Sequence, residues 1–170
     1  MSTFGILIKT HLPDLPYAER LLSSIDRYNV EDIPVFVVVS DADHAFFAHV
    51  ERAGVSLLRE SLFAAHLTQA DVAGFSAGYI NQEIVKLCFW EAGLVDNYLC
   101  LDSDAEFIRD FGRRDFMVDD EVPYTFASTD AQLRAEPAYY AEHWTARVPR
   151  LARIRDEIGL EDTEPRTIHG

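Results

Sequence analysis

Three apolar runs without internal polar breaks mark the first hundred residues: Phe4-Gly5-Ile6-Leu7-Ile8, Pro34-Val35-Phe36-Val37-Val38-Val39 and Tyr98-Leu99-Cys100-Leu101. Continuous, β-branched runs of this kind are what strands look like when helices cover both faces of a sheet. Between the first two, Pro13 and Pro16 open a segment in which Ala18, Leu21, Leu22, Ile25 and Tyr28 recur at helical spacing. After the second run, a helix is expected from about Asp43 to Ala53, stopped by Gly54, and then a short strand over Val55 to Leu58. Residues 59–77 show no period. From Tyr79 to Ala92 the helical pattern returns with Ile80, Ile84, Leu87 and Phe89, and Gly93 ends it. A further strand near Tyr124 to Ala127 and a long helix over Pro137 to Ile158, kinked at Pro149, complete the reading. Strands alternating with helices predict an α/β domain around a largely parallel sheet. With no repeat, low-complexity block or linker, residues 1–160 read as one domain and residues 161–170 as a polar tail.

Composition narrows the partners. The 170 residues are 48% hydrophobic and 26% charged, a globular balance, and 15 Lys+Arg against 29 Asp+Glu give a net charge of −14. Electrostatic docking to nucleic acid or an anionic membrane needs a basic stripe, which this chain lacks. No apolar run approaches the roughly 18 residues of a membrane span, and Asp14 and Glu19 break any signal-peptide pattern. Cys88 and Cys100, with no His beside them, form neither a disulfide framework nor a zinc signature, so a reducing, cytoplasmic setting is expected. Within the basic set, lysine is confined to Lys9 and Lys86. Both fall next to the candidate chemistry.

Ligands of open α/β sheets bind beyond the carboxyl ends of the strands. Polar groups follow three of them: Lys9-Thr10-His11, Ser40-Asp41-Ala42-Asp43 and Asp102-Ser103-Asp104. A strand running into Asp-x-Asp presents two carboxylates on one turn, the hard oxygen donors that Mg²⁺ accepts alongside substrate phosphates. The earlier Asp-x-Asp has a simpler reading, because Asp43 stands where a helix N-cap is expected; Asp41 is free to receive a ribose or a base. Gly74-Phe75-Ser76-Ala77-Gly78 has the spacing of a nucleophile elbow, but no strand precedes it, and it reads as a loop into the next helix. On that helix Gln82 and Lys86, four apart, share one face. The six histidines show no ligand-like spacing, and of them His11 is the one at a strand end.

The stretch Gly78-Tyr79-Ile80-Asn81-Gln82-Glu83-Ile84-Val85-Lys86-Leu87, leading into Tyr98-Leu99-Cys100-Leu101-Asp102-Ser103-Asp104, resembles the nucleotide-binding half of a GT-A type glycosyltransferase. Ile8-Lys9-Thr10 with Asp14, and Val38-Val39-Ser40-Asp41, match the same pattern, and the chain looks most like small bacterial glycosyltransferase-like domains of unknown function. The resemblance covers roughly residues 4–110. It implies a Rossmann-like GT-A three-layer sandwich, shortened after the Asp-x-Asp strand, where 66 residues remain. It also implies Asp102 and Asp104 as ligands of Mn²⁺ or Mg²⁺ on a nucleotide diphosphate sugar. Lys9, Thr10, Asp41, Gln82, Lys86 and Ser103 would line the nucleotide-sugar pocket, with Lys86 and Lys9 neutralising phosphate or holding the acids. The implied activity is hexosyl transfer to an acceptor hydroxyl, on a saccharide or a lipid-linked glycan, with a homo-oligomer compatible with this reading and no catalytic base assignable.

Two other readings stand beside it. One is a non-catalytic nucleotide-binding or interaction domain that keeps the fold. The other is a haloacid-dehalogenase-type phosphatase, whose Asp-x-Asp supplies a nucleophile and an acid. That family's motif sits on an early strand and continues with Thr or Val, whereas here Ala105-Glu106 follow in mid-chain.

Overall fold

In the computed structural model, residues 3–71 and 74–124 are described, together with 127–129, 135, 137–139, 141, 153 and 166–168. The chain divides into two compact units, Met1–Tyr124 and Thr125–Gly170. The domain expected over residues 1–160 therefore reaches into both.

The first unit is built on four parallel strands, β1 (Phe4–Lys9), β2 (Val35–Val39), β3 (Val55–Arg59) and β4 (Asn97–Leu101), in the order β3-β2-β1-β4. Register places Ile6 opposite Val35 and Leu99, so β1 is paired on both sides. Alternation along each strand then sends side chains to two faces. Ile6, Ile8, Val35, Val37 and Val39 pack with Ala18, Leu21, Leu22 and Ile25 of helix α1 (Leu15–Tyr28). Leu7, Phe36 and Val38 face the other way, onto Val85 of helix α2 (Ala77–Cys88) and onto Phe89 just beyond it. This is a three-layer, Rossmann-like α/β sandwich.

Handedness explains why the two helices take opposite faces. Parallel crossovers are right-handed, so connections moving outward from β1 to β2 and β3 keep to one face, and the one that returns past β1 to β4 must use the other. The return leaves a topological switch point between the carboxyl ends of β1 and β4.

Several expectations are revised. The segment after β2 is a run of 3-10 turns over His44–Val50 in place of a helix over 43–53, with Phe47 and Val50 buried. Spacing of three suits the 3-10 form, in which positions i and i+3 eclipse. The strand at Val55 extends to Arg59, and the expected helix over 79–92 resolves into α2 and a 3-10 turn, Phe89–Ala92, closed by Gly93 at φ 63°. α2 also packs on a different stripe from the one its apolar residues suggest. Its buried positions are Asn81 and Val85, while Leu87 is 73% exposed. Asn81 is buried because its amide brackets the backbone of Thr68, accepting from Thr68 N at 2.8 Å and donating to Thr68 O at 3.0 Å.

In the second unit, β5 (Ala127–Thr129) pairs antiparallel with β6 (Arg166–Ile168). The expected strand near 124–127 thus lies a little further on, and part of the expected polar tail is a strand. The expected long helix begins with α3 (Pro137–Tyr139); most of its remaining length lies outside the described residues.

Candidate functional site at the β1–β4 switch point

A cavity of about 410 Å³ lies at this switch point, lined by Lys9, Asp14, Tyr17, Gln82, Asp102, Ser103 and Asp104. Small-molecule sites run to roughly 300–1,000 Å³, and open α/β sheets bind ligands where the strand order reverses. A larger hollow of about 910 Å³ lies between Glu31 and residues 113–124. Glu31 sits in the connection leading into β2, at the amino ends of the strands, which is the wrong edge for a ligand site of this fold class.

The Asp-x-Asp turn follows directly from β4. Ala105 N donates to Asp102 O at 3.1 Å, closing a tight turn. Ser103 is buried at its centre, while Asp102 and Asp104 both stay exposed. Lys86 reaches Asp102 from α2, with Nζ 2.8 Å from Oδ1, and holds Glu83 at 3.3 Å. Burial by itself would push the Lys86 ammonium down. The hydrogen bond and charge of Asp102, with help from Glu83, outweigh it and raise Lys86 above its ordinary value, so it stays charged. Burial also pushes the Cys100 thiol up to about 11, against the pull of Lys86, so at neutral pH this cysteine is no thiolate nucleophile.

Lys9 takes a different role from the one expected of a free phosphate ligand. It is 6% exposed, and its ammonium meets Glu60 Oε2 at 2.7 Å, with Thr10 O at 3.3 Å. Glu60 opens the 3-10 turn after β3. Lys9 therefore lines the cavity with its charge already matched by a part-buried carboxylate. Thr10 is buried at the end of β1, where its N–H donates to Val38 O; its Oγ1 has no hydrogen-bond partner. A buried hydroxyl without a partner costs about 1–3 kcal/mol and calls for a missing one.

Asp41 is not among the cavity-lining residues. Its carboxylate accepts from Ser61 N at 3.0 Å and Ser61 Oγ at 2.8 Å, and Arg59 lies 3.6 Å away. Asp43 does not cap the turns that follow it; its carboxylate accepts from Leu12 N at 3.1 Å, tying the β2 end to the β1–α1 connection. His11, at the end of β1, pairs with Asp14 at 3.2 Å. Ser76 caps α2, accepting from Tyr79 N at 3.2 Å, and so serves the helix and not a nucleophile elbow.

Of the eight expected site residues, the fold brings Lys9, Gln82, Asp102, Ser103 and Asp104 into one cavity, with Lys86 tied to Asp102. Asp14, the residue just before α1, and Tyr17, in its first turn, complete the wall. Sequence reading did not include them in the pocket, although any residue opening the helix after β1 must face the carboxyl edge of the sheet. The cavity wall then holds three carboxylates and one ammonium, and that ammonium is already paired. Such a wall is predominantly acidic, and its chemistry is compatible with a hard divalent cation. Asp102 and Asp104 present exposed carboxylates, the type of donor that such a cation accepts.

No protein-family model and no curated protein matches the sequence. Among solved structures, the chain is similar to the apo form of mouse xyloside xylosyltransferase 1, with a TM-score of 0.47 and 12% identity over 64% of this chain. The likeness covers 46% of that structure's chain, so this chain spans less than half of its length.

Proposed function

We propose that the switch-point cavity binds the diphosphate of a nucleotide sugar together with Mn²⁺ or Mg²⁺, and that the protein transfers the sugar to an acceptor hydroxyl of a saccharide or lipid-linked glycan. The charge of the cavity supports this reading most strongly. Asp14, Asp102 and Asp104 line it against Lys9, whose charge Glu60 already meets. Unit charges a few ångströms apart in a partly desolvated site repel by several kcal/mol, so a diphosphate needs a cation to enter. When bound, the divalent ion supplies Lewis acidity to the leaving diphosphate.

The chain's own groups then have separable roles. Asp102 and Asp104 hold the cation from one rigid turn. Lys86 fixes the orientation of Asp102 and keeps a positive charge beside the phosphate path. Gln82 offers its side-chain amide to the bound molecule. Thr10, buried at the end of β1, is not among the residues lining the cavity and serves beneath it. In the transfer, the bond from the anomeric carbon to the diphosphate oxygen breaks with its electron pair leaving on the diphosphate. The acceptor oxygen bonds to the same carbon and releases its proton.

The test is thermal stability of the full chain against a panel of nucleoside diphosphates, with and without Mn²⁺. A ligand that binds only the native state stabilises by mass action. Stabilisation by a nucleotide is expected only when the metal is present, and Asp102→Asn/Asp104→Asn should lose it. Absence of any shift with every nucleotide would overturn the reading. Turnover of a sugar nucleotide then separates an enzyme from a binding domain of the same fold.

A further inference from the structure

On the α2 face of the sheet, away from the switch-point cavity, three potential ligand side chains converge. His66 lies in the segment following the Glu60–Phe63 turn, Cys88 is the last residue of α2, and Glu91 sits in the 3-10 turn beyond it. Their ligand atoms all fall within 4.8 Å of one another, and among the described residues no other trio of His, Cys, Asp or Glu does so. His66 Nε2 already stands 2.8 Å from Glu91 Oε2.

The scaffold beneath them is rigid on each side. Phe89, between Cys88 and Glu91, is 1% exposed and sits against Phe63 with ring centroids 6.3 Å apart. Phe63 O accepts from His66 N at 3.0 Å, which fixes the start of the His66 turn. Two residues beyond His66, Thr68 is clamped to α2 by the paired hydrogen bonds of Asn81. Cys88 packs against the same core cluster, half-buried, while His66 and Glu91 are open to solvent. An ion can therefore enter from solvent and find three donors whose backbones are held by the core.

The donor set selects the ion. Thiolate, imidazole and carboxylate together suit a borderline-soft metal, whereas Mg²⁺ and Mn²⁺ prefer all-oxygen shells. Zn²⁺ binds such groups at about 2.0–2.3 Å, so the observed spread needs only side-chain adjustment, and three protein ligands leave a fourth position for water.

We propose that His66, Cys88 and Glu91 form a Zn²⁺ site, independent of the switch-point cavity, that staples the 64–68 segment to the carboxyl end of α2.

Co²⁺ substitution reads the site directly, because a cysteine ligand gives a thiolate-to-cobalt charge-transfer band that no oxygen site gives. The metal-stripped 170-residue chain is titrated with Co²⁺, and Zn²⁺ is then added to displace it. The expected result is one Co²⁺ per chain with that band, bleached by Zn²⁺. Cys88→Ser should abolish the band. His66→Ala and Glu91→Gln, both at exposed positions that spare the core, should each weaken binding about tenfold or more, the scale set by even second-shell losses. Asp102→Asn/Asp104→Asn should leave the band intact, so failure of the nucleotide reading does not affect this one. No band in the folded wild type would overturn the proposal. So would a band that survives Cys88→Ser, or one that neither His66→Ala nor Glu91→Gln weakens.

Discussion

The same tripeptide pattern follows two parallel strands of one sheet, and the fold treats the two copies differently. After β2, Asp41-Ala42-Asp43 is spent on the protein itself: Ser61 and Arg59 take Asp41, and Leu12 N takes Asp43. After β4, Asp102 meets one lysine and Asp104 accepts no hydrogen bond from the described residues, and both open onto a cavity. Topology accounts for the difference. β2 lies inside a run of crossovers in one direction, so its carboxyl end is packed by the next connection. β4 flanks the reversal, where among the described residues no connection covers the gap. What an Asp-x-Asp can do therefore depends on where its strand stands in the sheet order.

Exchanging the acid-to-amide substitution between the two copies tests this most severely. Asp102→Asn/Asp104→Asn should remove the metal-dependent nucleotide stabilisation, which at a ligand concentration of 100 Kd amounts to about 2.7 kcal/mol. Asp41→Asn/Asp43→Asn should keep that response and lower the basal Tm, since it loosens two internal ties. Calorimetry with and without ligand measures both. Equal loss of the nucleotide response in the two double variants would erase the distinction.

Lys86 gives the next largest effect. Lys86→Met frees Asp102 from its partner, so Mn²⁺ alone should bind more tightly while the nucleoside diphosphate with Mn²⁺ binds more weakly. Opposite signs in two titrations of one variant are hard to obtain from general destabilisation. The stability change itself should be small, within about 1 kcal/mol, because Asp102 is largely solvated. Its pH dependence has a fixed sign. The folded state raises the Lys86 pKa, so the contribution is complete below the ordinary lysine value and fades as pH rises through the folded one. Denaturation midpoints of wild type and variant should converge in strong alkali.

How much of this the sequence disclosed depends on the range of each interaction. Strands β1, β2 and β4 and helix α1 were legible because burial imposes a local pattern on Ile6 to Ile8, Val35 to Val39 and Leu21 to Ile25. The His44–Val50 turns were not, since the buried pair Phe47 and Val50 fits a helix and a 3-10 run alike. Asp102 and Asp104 were picked out by their place after a strand. The tie between Lys9 and Glu60 was invisible, because it joins the ends of β1 and β3, which are separated in the sheet by β2. His66 and Cys88 stand 22 residues apart without any ligand spacing, and long-range ties bring them together: the His66–Glu91 hydrogen bond, the Phe63–Phe89 contact and the clamp of Asn81 on Thr68. Asn81 itself was hidden by its polarity, since it lies on a different stripe from the apolar one expected.

The smallest effect concerns Asp41 and sharpens the contrast from the acid side. Its hydrogen bond from the Ser61 hydroxyl is the main reason its carboxyl titrates below the ordinary value, with Ser61 N and Arg59 adding to it against a burial penalty. A carboxylate whose folded pKa is lowered contributes stability above its unfolded pKa of about 3.8, and that contribution is lost as pH falls through the folded value. Wild type should therefore exceed Asp41→Asn in Tm at neutral pH, and the gap should close below about pH 4. Ser61→Ala removes the hydroxyl and should shrink the gap at neutral pH while leaving the nucleotide response untouched. If the gap instead persisted unchanged at pH 2–3, the Asp41 carboxylate would not be an internal tie. The two Asp-x-Asp turns would then differ in exposure alone, and the case for reading the β4 turn as the ligand-facing one would rest on the cavity without the contrast.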